Sequence, residues 1–89
     1  MRFEFDNHKG ESNRSKHGID FPAAQALWED SDRVEIPART EDEPRIMVIG
    51  RIGNRVWSAV ITYRGEAVRI ISVRQASRKE VAIYESEGI

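Results

Sequence analysis

The chain has 89 residues, 39% of them hydrophobic and 33% charged, which suits a single small domain (1–89) with a core just large enough to fold alone. It has no cysteine, which excludes disulfide staples, thiolate zinc sites and a cysteine nucleophile together, and no apolar run approaches the roughly 18 residues of a membrane span. The net charge of −1 hides an asymmetry: residues 45–79 carry eight Lys/Arg against Glu66 alone, whereas residues 20–44 carry eight Asp/Glu against two Lys/Arg. A basic block of that length fits an anionic partner, or else arginines that pair with the acidic segment inside the fold. The opening MRFEFDNHKG has acidic residues where a signal peptide needs an apolar stretch, so a cytoplasmic location is expected.

RFEF alternates charged and aromatic residues and reads as a short first strand. Asp6 then caps a helix over 7–17 that closes on Gly18. This helix is almost wholly polar, with Lys9, Asn13 and Lys16 on one face and His17 beside them. Asp20 caps a second short helix, Pro22 sits in its first turn where a missing N–H is harmless, and AAQALW continues it. VEIP (34–37) is a strand that Pro37 should stop, and ARTEDEP follows as an acidic loop. RIMVIGRI (45–52) and RVWSAVITYR (55–64) flank the two-residue turn Gly53-Asn54, and Gly65-Glu66 leads into AVRIISVR (67–74), so these three form an antiparallel meander. Ser77 and Glu80 make a capping box, which starts a last helix near 78 running to about Glu85, with Val81 and Tyr84 as its apolar stripe. The order β-α-α-β-β-β-β-α is that of an α+β domain, with helices against one face of a twisted antiparallel sheet.

Most catalytic constellations are absent. His8 and His17 are the only histidines and form no H-x-x-x-H pair, and no G-x-S-x-G elbow or phosphate-cradling glycine loop occurs. No metal or cofactor is therefore expected. What remains is a basic and aromatic set: Tyr63, Arg64, Arg69, Arg74 and Arg78 on and after the meander, with Lys16 and His17 as possible neighbours. Arginine binds phosphate through two parallel N–H groups and keeps its charge at any working pH. RNA can be cut without a metal by its own 2′-OH attacking the adjacent phosphate. That reaction needs cations at the pentacovalent transition state, one group to take the 2′-OH proton and one to protonate the leaving oxygen. His17, Lys16, Tyr63 and Tyr84 are the side chains here that could handle those protons.

Strand geometry constrains this set. With regular alternation over 67–74, Arg69 faces with Ile71 and Val73 while Arg74 faces with Ile70 and Ser72. Both line one site only if a bulge intervenes or Arg74, at the strand end, swings over the edge; otherwise one of the two is structural. Each residue also has a structural reading: Lys16 complements the helix dipole, His17 sits beside a glycine cap, and Tyr84 belongs to its helix's apolar stripe. Arg74 and Arg78 flank the start of the last helix, where backbone N–H groups favour an anion.

Taken together, FEFDNHKGESNRSKHGIDFPAA and RIISVRQASRKEVAIYE closely resemble the BrnT family of type II toxin–antitoxin ribonucleases. The family's opening pattern falls on Phe5-Asp6, Lys9, Asn13, Lys16-His17-Gly18 and Ile19-Asp20-Phe21, with Phe5 where the family often has Trp. Its closing pattern falls on Arg69, Ile71, Ser72, Arg74, Ala76, Glu80 and Tyr84. The resemblance implies a RelE-like fold and a metal-independent endoribonuclease that cleaves mRNA and inhibits translation. It implies Lys16, His17, Arg64, Arg69 and Arg74 as catalytic residues and Tyr63, Arg78, Lys79 and Tyr84 as RNA-binding ones. It also implies neutralisation by a cognate antitoxin with a ribbon-helix-helix DNA-binding domain, so that DNA is met only through the complex, and no membrane. The alternative on the same scaffold is a module that binds RNA or its partner without cutting.

Overall fold

The structure, a computed structural model, describes residues 1–38 and 43–87. Its elements are β1 (Arg2–Glu4), α1 (Asn7–His17), α2 (Phe21–Ala24) leading into a 3-10 turn (Gln25–Glu29), β2 (Val34–Ala38), β3 (Arg45–Ile52), β4 (Arg55–Arg64), β5 (Ala67–Gln75) and α3 (Arg78–Glu87). The α+β class and the element order match the sequence reading. Most of the expected acidic loop, residues 39–42, lies outside the described residues.

Local chemistry sets the boundaries. The Asp6 side chain accepts from the Lys9 N–H, and Gly18 ends α1 at φ 82, its N–H donating to the Arg14 carbonyl. Asp20 caps α2 by accepting from Ala23 N–H. Ser77 and Glu80 exchange the two reciprocal bonds of a capping box at α3. Gly53 (φ 63) and Gly65 (φ 58) supply the one left-handed residue that each two-residue hairpin turn needs.

The five strands order β1-β5-β4-β3-β2. Three features depart from the sequence reading. First, β1 runs parallel to β5, so the sheet is mixed rather than wholly antiparallel. Second, helices cover both faces: Val48 and Ile49 are sheet neighbours on opposite sides, and each heads its own core. Phe21, Ala24 and Leu27 join Val48, Ala59, Ile61, Val68, Ile70 and Val73 on one face, whereas Tyr84 and Val81 of α3 join Ile49 and Val56 on the other. The long basic meander is apolar on both sides of its middle, which requires two covers. Third, Pro37 does not stop β2 but pairs with Ile46 inside it, because β2 is an edge strand and needs no outward N–H.

The second helix also tightens earlier than its apolar pattern suggests, passing into the 3-10 turn that buries Leu27 completely. Leu27 lies so close to Gly50 that a Cβ there would stand 3.0 Å from its Cδ2. Phe21 and Leu27 are the largest anchors that the helical layer gives this core, each worth about 2–3 kcal/mol of burial. α1 contributes almost no apolar surface, burying only Gly10 and Asn13.

Candidate functional site

The site is set by an irregularity in β5. Along β4 the partners run Ser58↔Arg74, Ala59↔Val73 and Val60↔Ser72, then jump to Ile61↔Ile70 and Thr62↔Arg69, which leaves Ile71 without a partner. This β-bulge inverts the alternation once. Val68, Ile70 and Val73 all point into one core, and Arg69 and Arg74 both lie on the opposite face with Thr62 and Ser58. The regular alternation expected from the sequence does not hold, and Arg69 does not share a face with Val73. Arg64, opposite Ala67, belongs by register to the same face as Arg69 and Arg74. The three arginines therefore form a row along the β4–β5 ladder, about 20 Å from Arg64 to Arg74 at the rise of a strand.

Their surroundings differ. Arg64 is exposed at the hairpin end and lines an open hollow with Met1, Arg2, Gly65 and Glu66. Arg69 is half-buried beside Thr62, whose hydroxyl donates to the Pro44 carbonyl at 2.9 Å. Among the described residues neither arginine makes a side-chain hydrogen bond or ion pair. Arg74 is held: Nη1 and Nη2 donate to Glu80 Oε1 and Oε2, each at 2.7 Å, and Nη1 also reaches the Gln75 carbonyl at 3.4 Å. Glu80 Oε1 accepts two further bonds, from the Ser58 hydroxyl at 2.8 Å and the Ser77 N–H at 2.9 Å. The Arg74 bond, against the opposing effect of burial and with help from Ser77 and Ser58, pulls the Glu80 carboxyl down to about 2. Glu80 in turn raises Arg74 above its ordinary value.

Arg78 and Lys79 follow in the first turn of α3, exposed and, among the described residues, unpaired, where cations oppose the helix dipole. Lys16 and His17 end α1, which packs against β5. Both are exposed, and among the described residues neither bonds to any of the arginines. Tyr63 lies opposite Val68, on the face away from the arginine row. Its hydroxyl donates to Glu35, and burial followed by that carboxylate pushes the phenol up to about 12. Tyr84 is buried in the α3 core, where its hydroxyl donates to Asp30 Oδ2 at 2.7 Å and Arg51 stacks 5.8 Å from the ring centre.

The fold thus brings Arg64, Arg69 and Arg74 to one face, with Arg78 and Lys79 just beyond. It puts Lys16 and His17 on a separate helix and turns Tyr63 and Tyr84 to other surroundings. Two participants escape the sequence reading. Glu80 is visible there as a helix cap and as a position of the family's closing pattern, with no link to Arg74, and Ser58 only as a polar residue inside a strand. Among the described residues no group of three or more His, Asp or Glu side chains is arranged to hold a metal ion.

A family model described as ribonuclease toxin, BrnT, of type II toxin–antitoxin system matches residues 5–80, most of the chain. No curated protein matches the sequence.

Proposed function

The chain belongs to the BrnT family of ribonuclease toxins of type II toxin–antitoxin systems, and from that premise we propose that it cuts mRNA without a metal and so inhibits translation. The observation that carries this reading is the row Arg64, Arg69, Arg74, which the bulge at Ile71 turns to one face of the sheet. Such a row suits a single-stranded phosphate backbone laid along the β4–β5 ladder. Its guanidinium groups would stabilise the charge that develops as a 2′-OH attacks the neighbouring phosphate. His17 or Lys16 takes or returns the proton, reaching the RNA from the end of α1, and Arg78 and Lys79 extend its track, whereas Tyr63 and Tyr84, turned to other surroundings, take no part in it. The reaction proceeds in the cytoplasm.

A type II family implies a cognate antitoxin. In this reading the antitoxin carries a ribbon-helix-helix DNA-binding domain and covers the arginine row with acidic or apolar side chains, so DNA is met only through the complex. No helix among the described residues is long and apolar enough to cross a membrane.

The test is RNA cleavage by the purified protein in excess EDTA. Fragments ending in 2′,3′-cyclic phosphate, and no cleavage where the attacking 2′-OH is replaced by hydrogen, are expected. Activity that EDTA abolishes and magnesium restores would overturn the mechanism. The second reading, a module that binds without cutting, draws on two observations: among the described residues neither Lys16 nor His17 bonds to the row, and Arg74 is already paired with Glu80. Expression in bacteria without an antitoxin gene separates the two, growth arrest favouring the toxin and harmless expression the binder.

A further inference from the structure

Arg74 has five N–H donors, and the structure shows which are used. The Nη1/Nη2 end of the guanidinium meets the two oxygens of Glu80, and the second Nη1–H reaches the Gln75 carbonyl. Among the described residues that leaves Nε–H and the second Nη2–H without a partner; they lie on the same edge of the planar group and form its side fork. A side fork of this kind matches two phosphate oxygens as well as the end fork does. Glu80 is itself unable to turn. Its Oε1 is fixed by Ser58 and Ser77, and its side chain is only 12% exposed, against 44% for Arg74.

We infer that Glu80 is a positioning residue: it holds the guanidinium of Arg74 by one edge so that the other, Nε–H with Nη2–H, is presented to a phosphate of the bound RNA. This deepens, and rests on, the reading of the arginine row as the ribonuclease surface. A free arginine at the end of a strand would sample many rotamers, and a reaction that depends on orientation loses rate for each one that misses. Glu80 also partly cancels the charge of Arg74. Its contribution therefore lies in geometry rather than in affinity.

The distinguishing experiment compares steady-state cleavage by the parent, Glu80→Gln, Arg74→Lys and the double variant. Glu80→Gln keeps the size and hydrogen-bonding oxygen of the side chain but offers only one acceptor to Arg74. It should lower kcat roughly 10- to 100-fold, the scale of a small misplacement, while KM stays near the parent value. Arg74→Lys should lose as much or more, and adding Glu80→Gln to it should cost nothing further, since a lysine has no second fork to aim. Asp30→Asn, which loosens α3 through the Tyr84 hydroxyl without touching Glu80, should keep the parent kcat. Parent-level kcat in Glu80→Gln alongside a damaged Arg74→Lys would overturn the inference, as would an Asp30→Asn enzyme that falls equally.

A second measurement does not depend on activity. The Nε–H resonance of Arg74 in the parent protein should shift on titration with a 2′-O-methyl oligoribonucleotide, which cannot be cut. A silent resonance while the oligonucleotide binds would overturn the positioning role. If the parent cuts no RNA but the resonance moves, the ribonuclease reading fails and the role of Glu80 survives.

Discussion

The side-chain amide of Asn13 takes both backbone groups of Val73, 60 residues away: Nδ2 donates to the Val73 carbonyl at 2.8 Å, and Oδ1 accepts from the Val73 N–H at 3.1 Å. Nδ2 also donates to the Ile19 carbonyl at 2.8 Å. β1 pairs only with Ala67, Val68 and Arg69, so further along β5 this one amide stands in for a missing strand and ties the polar helix α1 to the sheet.

Asn13→Ala should therefore destabilise the protein by about 2–4 kcal/mol, since three buried backbone groups, two of Val73 and one of Ile19, lose this partner. Asn13→Asp should be worse, because it sets a carboxylate against two carbonyl oxygens and removes both donors. Chemical denaturation of the two variants checks this, and parent-like midpoints in both would mean that water or another side chain satisfies Val73.

Acid should weaken the α3 attachment in a defined window. Glu80 falls from an ordinary 4.5 to about 2 in the fold, so the unfolded chain binds the proton first. The stability this carboxylate contributes is complete above about pH 4.5 and disappears as pH falls through about 2. Glu80→Gln should flatten the melting temperature across that interval. If parent and variant lose stability in parallel between pH 5 and 2, expressed as about the same slope, Glu80 is not the group responsible.

How much of this was legible in the sequence depends on the range of the interaction. Asp6, Gly18, Asp20, Ser77 and Glu80 act within three or four residues, and each fixes the helix end that its type suggests. The pairs that build the site join distant residues. Nothing local marks Asn13 as the partner of Val73 or Ser58 as the partner of Glu80. Arg74 and Glu80 lie only six apart, yet a turn separates strand from helix, and the capping box alone gives Glu80 a sufficient reason to be there. The bulge had a signal: in Val68-Arg69-Ile70-Ile71-Ser72-Val73-Arg74, two adjacent isoleucines break an alternation that is otherwise regular, and removing one restores it.

His17 offers a clean separation of structure from chemistry, because it is exposed at the last residue of α1 and Gly18 makes the closing cap bond itself. His17→Ala should leave the melting curve within about 0.5 kcal/mol of the parent. Loss of a proton-transfer group should lower cleavage by roughly 10² to 10⁴. Activity assay and thermal melting on the same preparation give the answer, and full activity would transfer the role to Lys16 or to water.

The arginine row predicts the salt dependence of RNA binding. Three phosphate contacts on a single strand give log Kobs against log salt a slope of about −2, and Arg64→Ala should reduce its magnitude by about 0.7. Among the described residues Arg64 makes no side-chain hydrogen bond or ion pair, so its loss should not lower stability. A slope near zero would remove the phosphate track from the model of binding.

The bulge itself can be tested by deletion. Removing Ile71, or equally Ile70, since both leave the same chain, takes out the one residue of β5 that has no partner on β4. A deletion inside a strand ordinarily turns everything beyond it to the wrong face. Here the shortened strand would alternate as Val68 in, Arg69 out, Ile70 in, Ser72 out, Val73 in, Arg74 out, so every side chain keeps its present face. The variant should fold, losing about 1–2 kcal/mol for a half-buried isoleucine. Arg69 and Arg74 should stay opposite Thr62 and Ser58, and RNA binding should keep the parent salt slope. Deleting Ser72 instead removes a paired residue and leaves Ile71 to fill its place on the arginine face, so that variant should lose more stability. Equal damage from the two deletions, measured by denaturant midpoint, would show that Ile71 is not the supernumerary residue and that the shared face of Arg69 and Arg74 has another origin.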